Sequence, residues 1–295
     1  MIGTALGLAG LVAVAWLALI GLLALQERRL IFFPTRHLST DPAAYGLDAE
    51  ELSVTTSDGE ALHGWWITGP TNRVLIWYHG NAGNIGDRLH NARWFVERLG
   101  VDVVLVDYRG YGRSQGTPDE AGLYLDGLAI LDAVVDRAVR PEDVVLFGRS
   151  LGGAVAIEVA LRRRVGAVAL ESVFRSVRAL ARVHYWFVPS GVVRTRMDNE
   201  AKIGRVTTAT LFLHGDRDTV VPIAHGRRLF ELAPPPTRFH VVEGAGHNDT
   251  YLVGGSPYVE AWSDFLRHTA ARPGARAYSG AATSVAATAA PRRAG

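Results

Sequence analysis

Hydrophobic and polar residues recur along the chain with two periods, which predict a succession of strands and helices. Apolar runs typical of buried strands lie at residues 74–78, 101–106, 144–147, 165–170, 210–213 and 239–242. Strands that flank a turn lie at residues 52–56 and 62–68. Helical spacing of apolar residues occurs at 84–99, 123–135, 151–161, 223–232 and 259–268. This alternation predicts an α/β fold with a mostly parallel sheet and helices on both faces.

The first 25 residues differ from the rest because they carry no charged side chain and show no polar face. As a helix they would span about 36 Å, enough to cross a hydrocarbon core of about 30 Å. We predict an uncleaved, single-pass transmembrane anchor over residues 1–25. A cleaved signal peptide is the alternative, although no positive n-region precedes the run. Arg28, Arg29 and Arg36 follow it, which by the positive-inside rule predicts a cytoplasmic location for the domain.

Composition and motif positions divide the remaining chain into three parts. Residues 26–45 are predicted to be a juxtamembrane linker, whose apolar patch at 30–33 could lie in the membrane interface or pack on the domain. Residues 46–271 are predicted to form the main domain, with a short cap at about 172–207. The tail at 272–295 lacks large apolar residues and is predicted to be disordered.

Charge and cysteine content restrict the chemistry. The formal net charge is only +2, and no basic stripe is interleaved with aromatic residues, so nucleic-acid binding is not predicted. The chain contains no cysteine, which excludes disulfides, a thiol nucleophile and a cysteine-built metal site. No metal or organic cofactor is implied by the sequence.

The most specific motif is Gly-Arg-Ser-Leu-Gly at residues 148–152, a G-x-S-x-G between a predicted strand and a predicted helix. In this context the serine lies on a sharp turn that requires small neighbours, here Gly148 and Gly152. The turn exposes the hydroxyl at the carboxyl end of the sheet, beside a helix N-terminus that favours negative charge. We predict that Ser150 is a nucleophile; the alternative is a glycine-rich turn with a capping serine.

A serine nucleophile requires a base, and the base requires an acceptor on its other ring nitrogen. His247 is the predicted base, because it lies in a glycine-flanked loop after the last predicted strand. Asp216 and Asp218 both follow the strand before it. We assign Asp218 as the orienting acid and keep Asp216, at the strand tip, as the alternative. The order Ser150, Asp218, His247 is the one typical of G-x-S-x-G hydrolases.

An acyl-transfer site also requires two amide donors for the oxyanion. The amide of Leu151, directly after the predicted nucleophile, is the first candidate. The second is the amide of Asn81, in the small and polar loop at residues 79–84 that follows a predicted strand. His79 in the same loop is interpreted as a scaffold residue rather than a catalytic one.

Together these segments resemble the α/β-hydrolase superfamily, and within it the membrane-anchored, single-pass α/β-hydrolase-domain proteins of bacteria, fungi and animals. The resemblance extends from about residue 30 to about residue 266 and is carried by the segments LIFFP (30–34), HGNAGN (79–84), DYRGYGRS (107–114) and MDN (197–199). It implies the α/β-hydrolase fold. Some animal relatives remove fatty acyl chains from protein cysteines, and they carry a cysteine-rich, palmitoylated N-terminus. This chain has no cysteine, so that activity is not transferred to it.

These observations predict a serine hydrolase that cleaves esters or thioesters through an acyl-enzyme, acting on small-molecule or acyl-chain substrates at a membrane. The predicted cap offers apolar surface that suits an acyl chain or an ordinary short ester: Phe174, Tyr185, Trp186, Phe187, Val192 and Val193. A serine peptidase on the same scaffold and a non-catalytic binding protein remain alternatives. Dehalogenase and epoxide hydrolase chemistry require a carboxylate at position 150 and are excluded.

Overall fold

A large mixed sheet forms the centre of the molecule. The computed structural model describes residues 2–269, so the predicted disordered tail lies outside the described residues. Strands in this range are β1 (Phe33–Pro34), β2 (Ala49–Thr55), β3 (Ala61–Ile67), β4 (Val74–Tyr78), β5 (Ala82–Gly83), β6 (Asp102–Val106), β7 (Val144–Arg149), β8 (Ala167–Glu171), β9 (Thr210–Gly215) and β10 (Thr237–Val242). The sheet has the order β10-β9-β8-β7-β4-β6-β3-β2. Only β3 pairs antiparallel, with β2 and β6, so the mostly parallel sheet is confirmed.

Helices cover both faces of this sheet, as the alternating pattern predicted. They are α1 (Ile2–Ile31), α2 (Leu89–Leu99), α3 (Glu120–Val135), α4 (Leu151–Arg162), α5 (Val177–His184), α6 (Asn199–Ile203), α7 (Ala224–Leu232), α8 (Thr250–Val253) and α9 (Gly255–Thr269). Side chains alternate along β4: Ile76 packs with the apolar residues of α3 and α4, while Trp77 packs with those of α2 and α9. Both faces are therefore buried, as expected for strands with continuous apolar runs.

Helix starts follow the capping residues rather than the apolar period alone. The predicted helix at 84–99 begins with a 3₁₀ turn, Ile85–Arg88, before α2, because the Asn84 side chain accepts a hydrogen bond from the Gly86 amide. Helix α3 starts earlier than its apolar spacing predicted, because the Asp119 side chain accepts from the Gly122 amide at 2.7 Å. Capping thus sets the boundaries that periodicity leaves open.

The N-terminal segment departs from its predicted role. Within residues 2–269, no helix combines the length and apolar character needed to span a membrane, so the predicted transmembrane anchor at 1–25 is not supported. Helix α1 instead runs on through residues 26–31 of the predicted linker. The Glu27 carboxylate at its end accepts hydrogen bonds from the amides of Arg194 at 2.9 Å and Thr195 at 2.7 Å. The last turns of α1 are therefore held against the cap.

Part of the apolar patch at residues 30–33 packs on the domain, while Leu30 and Phe33 remain about half exposed. Phe32 is buried, and Ile31 packs against the same core cluster. The short strand β1 pairs in parallel with β5, and the Phe33 amide donates to Asn81 Oδ1 at 3.2 Å. This pairing joins the N-terminal segment to the loop that follows β4.

Candidate active site

Ser150 lies at the turn between β7 and α4 in a strained backbone conformation, with φ +52° and ψ −116°. A non-glycine residue rarely adopts a positive φ, and such strain is concentrated at functional sites. The turn needs the flanking glycines: a Cβ at Gly148 would lie 2.6 Å from the Gly152 carbonyl oxygen, and one at Gly152 would collide with the Tyr78 carbonyl. The sequence motif therefore adopts the geometry that it predicted.

Backbone hydrogen bonds hold this turn in place while the side chain of Ser150 stays partly exposed. The Ser150 amide donates to the Glu171 carbonyl oxygen at 2.9 Å, and the Gly153 amide donates to the Ser150 carbonyl at 3.0 Å. The hydroxyl faces a cavity that Ser150 lines together with His247. It also lies at the N-terminus of α4, where the helix dipole favours negative charge.

His247 and Asp218, predicted as base and acid, are in direct contact. His247 Nδ1 lies 2.8 Å from Asp218 Oδ2, and the Asp218 carboxylate is fully buried. The other oxygen of Asp218 accepts from the amides of Val220 at 2.9 Å and Val221 at 2.8 Å. The alternative acid, Asp216, instead accepts from the Gly244 amide at 2.7 Å. Geometry therefore selects Asp218 as the carboxylate that orients the imidazole.

The environment of Asp218 favours its ionised form. Burial would raise the pKa of this carboxyl, but hydrogen bonds from His214 and His247 outweigh burial and hold the pKa well below its ordinary value. His214 Nε2 lies 3.4 Å from Asp218 Oδ2 and 2.8 Å from the Val221 carbonyl oxygen. An ionised carboxylate against Nδ1 stabilises an imidazolium on His247.

Ser150 and His247 line the same cavity but are not yet in hydrogen-bond contact. Among the bonds found within residues 2–269, none joins the Ser150 hydroxyl to the imidazole. Such contacts are often long in unliganded enzymes and tighten when substrate binds. The structure thus brings the predicted acid and base together and places the predicted nucleophile beside them.

The loop after β4 contributes the other predicted donor. The Asn81 side chain is engaged, since its Oδ1 accepts from the Phe33 amide and from the Tyr111 hydroxyl at 3.3 Å. Its backbone amide donates to no protein group in the described part of the chain. Asn81 and Leu151 both line the cavity beside Ser150. Both residues predicted to donate to the oxyanion therefore line the same cavity as Ser150.

The His79 side chain packs inside the protein under this loop and does not line the cavity. Its ring is fully buried, stacks against Tyr108 with a centroid distance of 4.3 Å, and places Nδ1 2.8 Å from the Gly80 carbonyl oxygen. Burial, together with the nearby Arg88 cation, lowers the pKa of His79 to about 3. The side chain is accordingly neutral at ordinary pH, which fits the scaffold role that the sequence indicated.

A buried polar network links the turn of Ser150 to the loop of His247, and sequence reasoning missed it. Arg149 Nη2 donates to the His247 carbonyl oxygen at 2.8 Å, and Arg149 Nε lies 3.3 Å from Glu171 Oε1. Glu171, which is fully buried, also accepts from Thr250 Oγ1 at 2.8 Å and from the Tyr258 hydroxyl at 2.5 Å. Three distant parts of the chain are thereby fixed around one carboxylate.

A sequence signal for this network existed. Arg149 and Glu171 each end a strand that is otherwise apolar, and a buried charge requires a charged or hydrogen-bonding partner. Because β7 and β8 are neighbours in a parallel sheet, two such charges at their carboxyl ends are expected to meet. The sequence did not show that the pair also holds the His247 loop.

The cavity beside Ser150 has a volume of about 630 Å³ and lies under the cap. The predicted cap consists of α5, a 3₁₀ turn and α6. Four of its six predicted apolar residues line the cavity, namely Phe174, Tyr185, Val192 and Val193. Trp186 and Phe187 do not line it and are solvent-exposed. Within residues 2–269, no group of three or more His, Cys, Asp or Glu side chains is placed to hold a metal ion.

Several proteins of known sequence are similar to this chain. Residues 69–189 match the family described as "Serine aminopeptidase, S33". The α/β-hydrolase domain-containing protein WAV2 of Arabidopsis thaliana is 33 % identical over 288 residues, which cover 87 % of this chain and 92 % of that protein. Protein bem46 of Schizosaccharomyces pombe is 32 % identical over 279 residues, covering 88 % and 91 %.

Among solved structures, the esterase Pf2001 of Pyrococcus furiosus has a similar fold. The two structures align with a TM-score of 0.68, covering 82 % of this chain and 99 % of the esterase. Their sequences are 19 % identical, so this likeness concerns the fold alone.

Proposed function

This chain belongs to the α/β-hydrolase superfamily, and we propose that it is a serine hydrolase that cleaves carboxylic esters or thioesters through an acyl-enzyme. The observation that carries the proposal is the 2.8 Å contact between His247 Nδ1 and the buried Asp218, because His247 lines the same cavity as Ser150. Acyl transfer requires a nucleophile, a base and an acid that orients the base.

The reaction would proceed in two halves. His247 Nε2 accepts the Ser150 proton while Oγ bonds to the acyl carbon, and the carbonyl oxygen becomes an oxyanion held by the amides of Leu151 and Asn81. The oxyanion then collapses, the bond to the alcohol or thiol breaks, and His247 donates its proton to that leaving group. A water molecule, deprotonated by His247, attacks the acyl-enzyme, releases the acid and regenerates Ser150.

Labelling with a fluorophosphonate probe tests the nucleophile directly. We expect the wild-type protein to be labelled and to hydrolyse p-nitrophenyl acetate, and Ser150→Ala to lose both. Ser57→Ala, at an exposed turn distant in sequence, is the matched control and should keep both. A folded wild-type protein that neither labels nor turns over would favour the non-catalytic scaffold instead.

A serine peptidase is the second candidate, because the family that matches residues 69–189 is described as a serine aminopeptidase. Aminoacyl p-nitroanilides distinguish the two, since an aminopeptidase must also bind a free ammonium group. We expect ester turnover to exceed anilide turnover. The reverse order would assign the same residues to peptide hydrolysis.

A membrane location stays a prediction. Exposed apolar side chains along α1 support it, among them Leu25, which is 82 % exposed. Co-flotation of the full-length protein with phosphatidylcholine vesicles tests the membrane location. A protease-protection assay on intact membrane vesicles tests the cytoplasmic orientation. Protein that stays unbound in the flotation assay would reject the membrane location.

A further inference from the structure

Helix α1 forms one wall of the cavity beside Ser150, although it is far from the sheet in sequence. Its contribution comes from Leu23, Ala24, Glu27, Leu30 and Ile31. Apart from Gln26, the partly buried residues between positions 20 and 31 lie at 20, 23, 24, 27 and 31, the spacing of one helical face. Leu25 lies off this face and is largely exposed.

A second part of the cavity wall is α5, the first helix of the cap. Val177, Leu180, Ala181 and His184 of α5 line the cavity and share one face of that helix. The two Glu27 hydrogen bonds to the amides of Arg194 and Thr195 tie α1 to the segment that follows α5. The Glu27 carboxylate therefore connects α1 to the cap at the edge of the cavity.

The charged groups of the lining are already used by the protein. Besides Glu27, Asp87 accepts from the Asn84 amide at 3.0 Å, Arg88 donates to the Ala82 carbonyl, and Arg149 donates to the His247 carbonyl. A substrate with a charged acyl group would have to displace one of these hydrogen bonds in order to pair its charge. Binding such a group therefore costs more free energy than binding an apolar group. The cavity favours an apolar acyl group on this ground.

We propose that α1 and α5 together form an acyl-chain subsite, so that the preferred substrate is an ester or thioester whose acyl group is an apolar chain longer than acetyl. The acyl carbon lies at Ser150, and the hydrocarbon chain extends between Ala24 and Ala181. This inference rests on the proposed serine hydrolase activity and adds to it the class of acyl group and the part played by the N-terminal helix. Each buried methylene contributes to binding, and the contribution is lost where a bulky side chain fills the space.

The test compares acyl-chain selectivity in variants of the full-length protein. The readout is the ratio of kcat/KM for p-nitrophenyl laurate to that for p-nitrophenyl acetate. Ala24→Trp fills the cavity from α1, and we expect it to lower this ratio at least tenfold. Leu25→Trp adds the same side chain to the exposed face of the same helix and should leave the ratio within twofold of wild type.

A second variant keeps the test decisive if Ala24→Trp moves α1 rather than filling the cavity. Ala181→Trp narrows the same space from α5, and it should lower the ratio in the same direction. The acyl-chain subsite is overturned if both variants fold and keep the laurate-to-acetate ratio of the wild type. It is also overturned if the wild-type protein itself prefers acetate to laurate. Turnover of acetate that depends on Ser150 would then still support the serine hydrolase. Absence of any Ser150-dependent turnover would instead reject the serine hydrolase itself.

Discussion

Two regions face each other across the cavity, and they are built in different ways. The rim, defined here as the carboxyl ends of β4 and of β6 to β10 together with the loops that follow them, holds buried charges that are paired, such as Arg149 with Glu171 and Asp218 with His247. The lid, defined as the last turns of α1 together with α5, offers apolar side chains and is tied by the few bonds of Glu27.

The difference follows from what each region has to do. Groups that move protons must be held close to their reactive geometry, which buried and mutually bonded polar groups achieve. A wall that accommodates an acyl chain needs apolar area and exclusion of water, which many side chains can supply. Changes in the rim should therefore affect turnover, and changes in the lid should affect the choice of substrate.

The largest expected effect comes from the two carboxylates that follow β9. Asp218→Asn should lower kcat/KM by about 10⁴-fold, because an amide cannot hold the imidazole in the required tautomer or stabilise its cation. Asp216→Asn, which touches only the Gly244 amide, should stay within threefold of wild type. Steady-state ester hydrolysis measures both, and equal losses would remove the distinction between these two residues.

An intermediate effect is expected at Arg149, which we interpret as a positioning residue acting through His247. Arg149→Met removes the bond to the His247 carbonyl and leaves Glu171 buried without its cation. We expect kcat to fall about 10- to 100-fold with KM little changed, and the free energy of unfolding to fall by about 3–5 kcal/mol.

A double variant separates the positioning role from stability. Glu171→Gln, added to Arg149→Met, removes the unpaired charge and should recover much of the free energy of unfolding, as measured by urea denaturation. It should not recover kcat, because the His247 loop still lacks its donor. Recovery of both quantities would assign Arg149 a purely structural role.

The smallest effect on turnover is expected at Asp107, which directly follows β6 and should influence stability instead. Asp107 is fully buried and accepts from the Ile85 amide at 3.0 Å; burial raises the pKa of its carboxyl to about 8 from 3.8. Between these values the folded protein holds a proton that the unfolded chain has released, so stability falls as pH rises from about 4 to about 8. Asp107→Asn should remove this slope.

The measurement is the melting temperature of each protein between pH 5 and pH 9. Relative to Asp107→Asn, the wild type should lose about 4 kcal/mol of unfolding free energy over this range, because each pH unit below a pKa of about 8 changes stability by about 1.4 kcal/mol. Asp136→Asn, at an exposed carboxyl after α3, serves as the control and should keep the wild-type slope. Parallel pH profiles for wild type and Asp107→Asn would show that Asp107 stays ionised in the folded state.

Local sequence determined the central sheet and the turn that carries Ser150. The apolar runs of β4, β7 and β9 predict buried strands, and the glycines of the G-x-S-x-G motif predict a tight turn. Both predictions depend on residues that are adjacent in the chain, so a single segment of sequence is enough to make them. Asp218 and His247 could be nominated because the carboxyl ends of parallel strands share one edge of the sheet. Helix boundaries were less certain, since caps such as Asp119 override the apolar period.

Only the tertiary structure decided the features that join distant segments. It brought Asp218 rather than Asp216 into contact with His247, joined Arg149 to the His247 carbonyl across 98 positions, and placed the end of α1 beside the cavity. The apolar composition of α1 fits burial against either lipid or protein, because hydrophobic burial has no direction. Which surface covers an apolar helix depends on the position of the rest of the chain, and composition carries no such information.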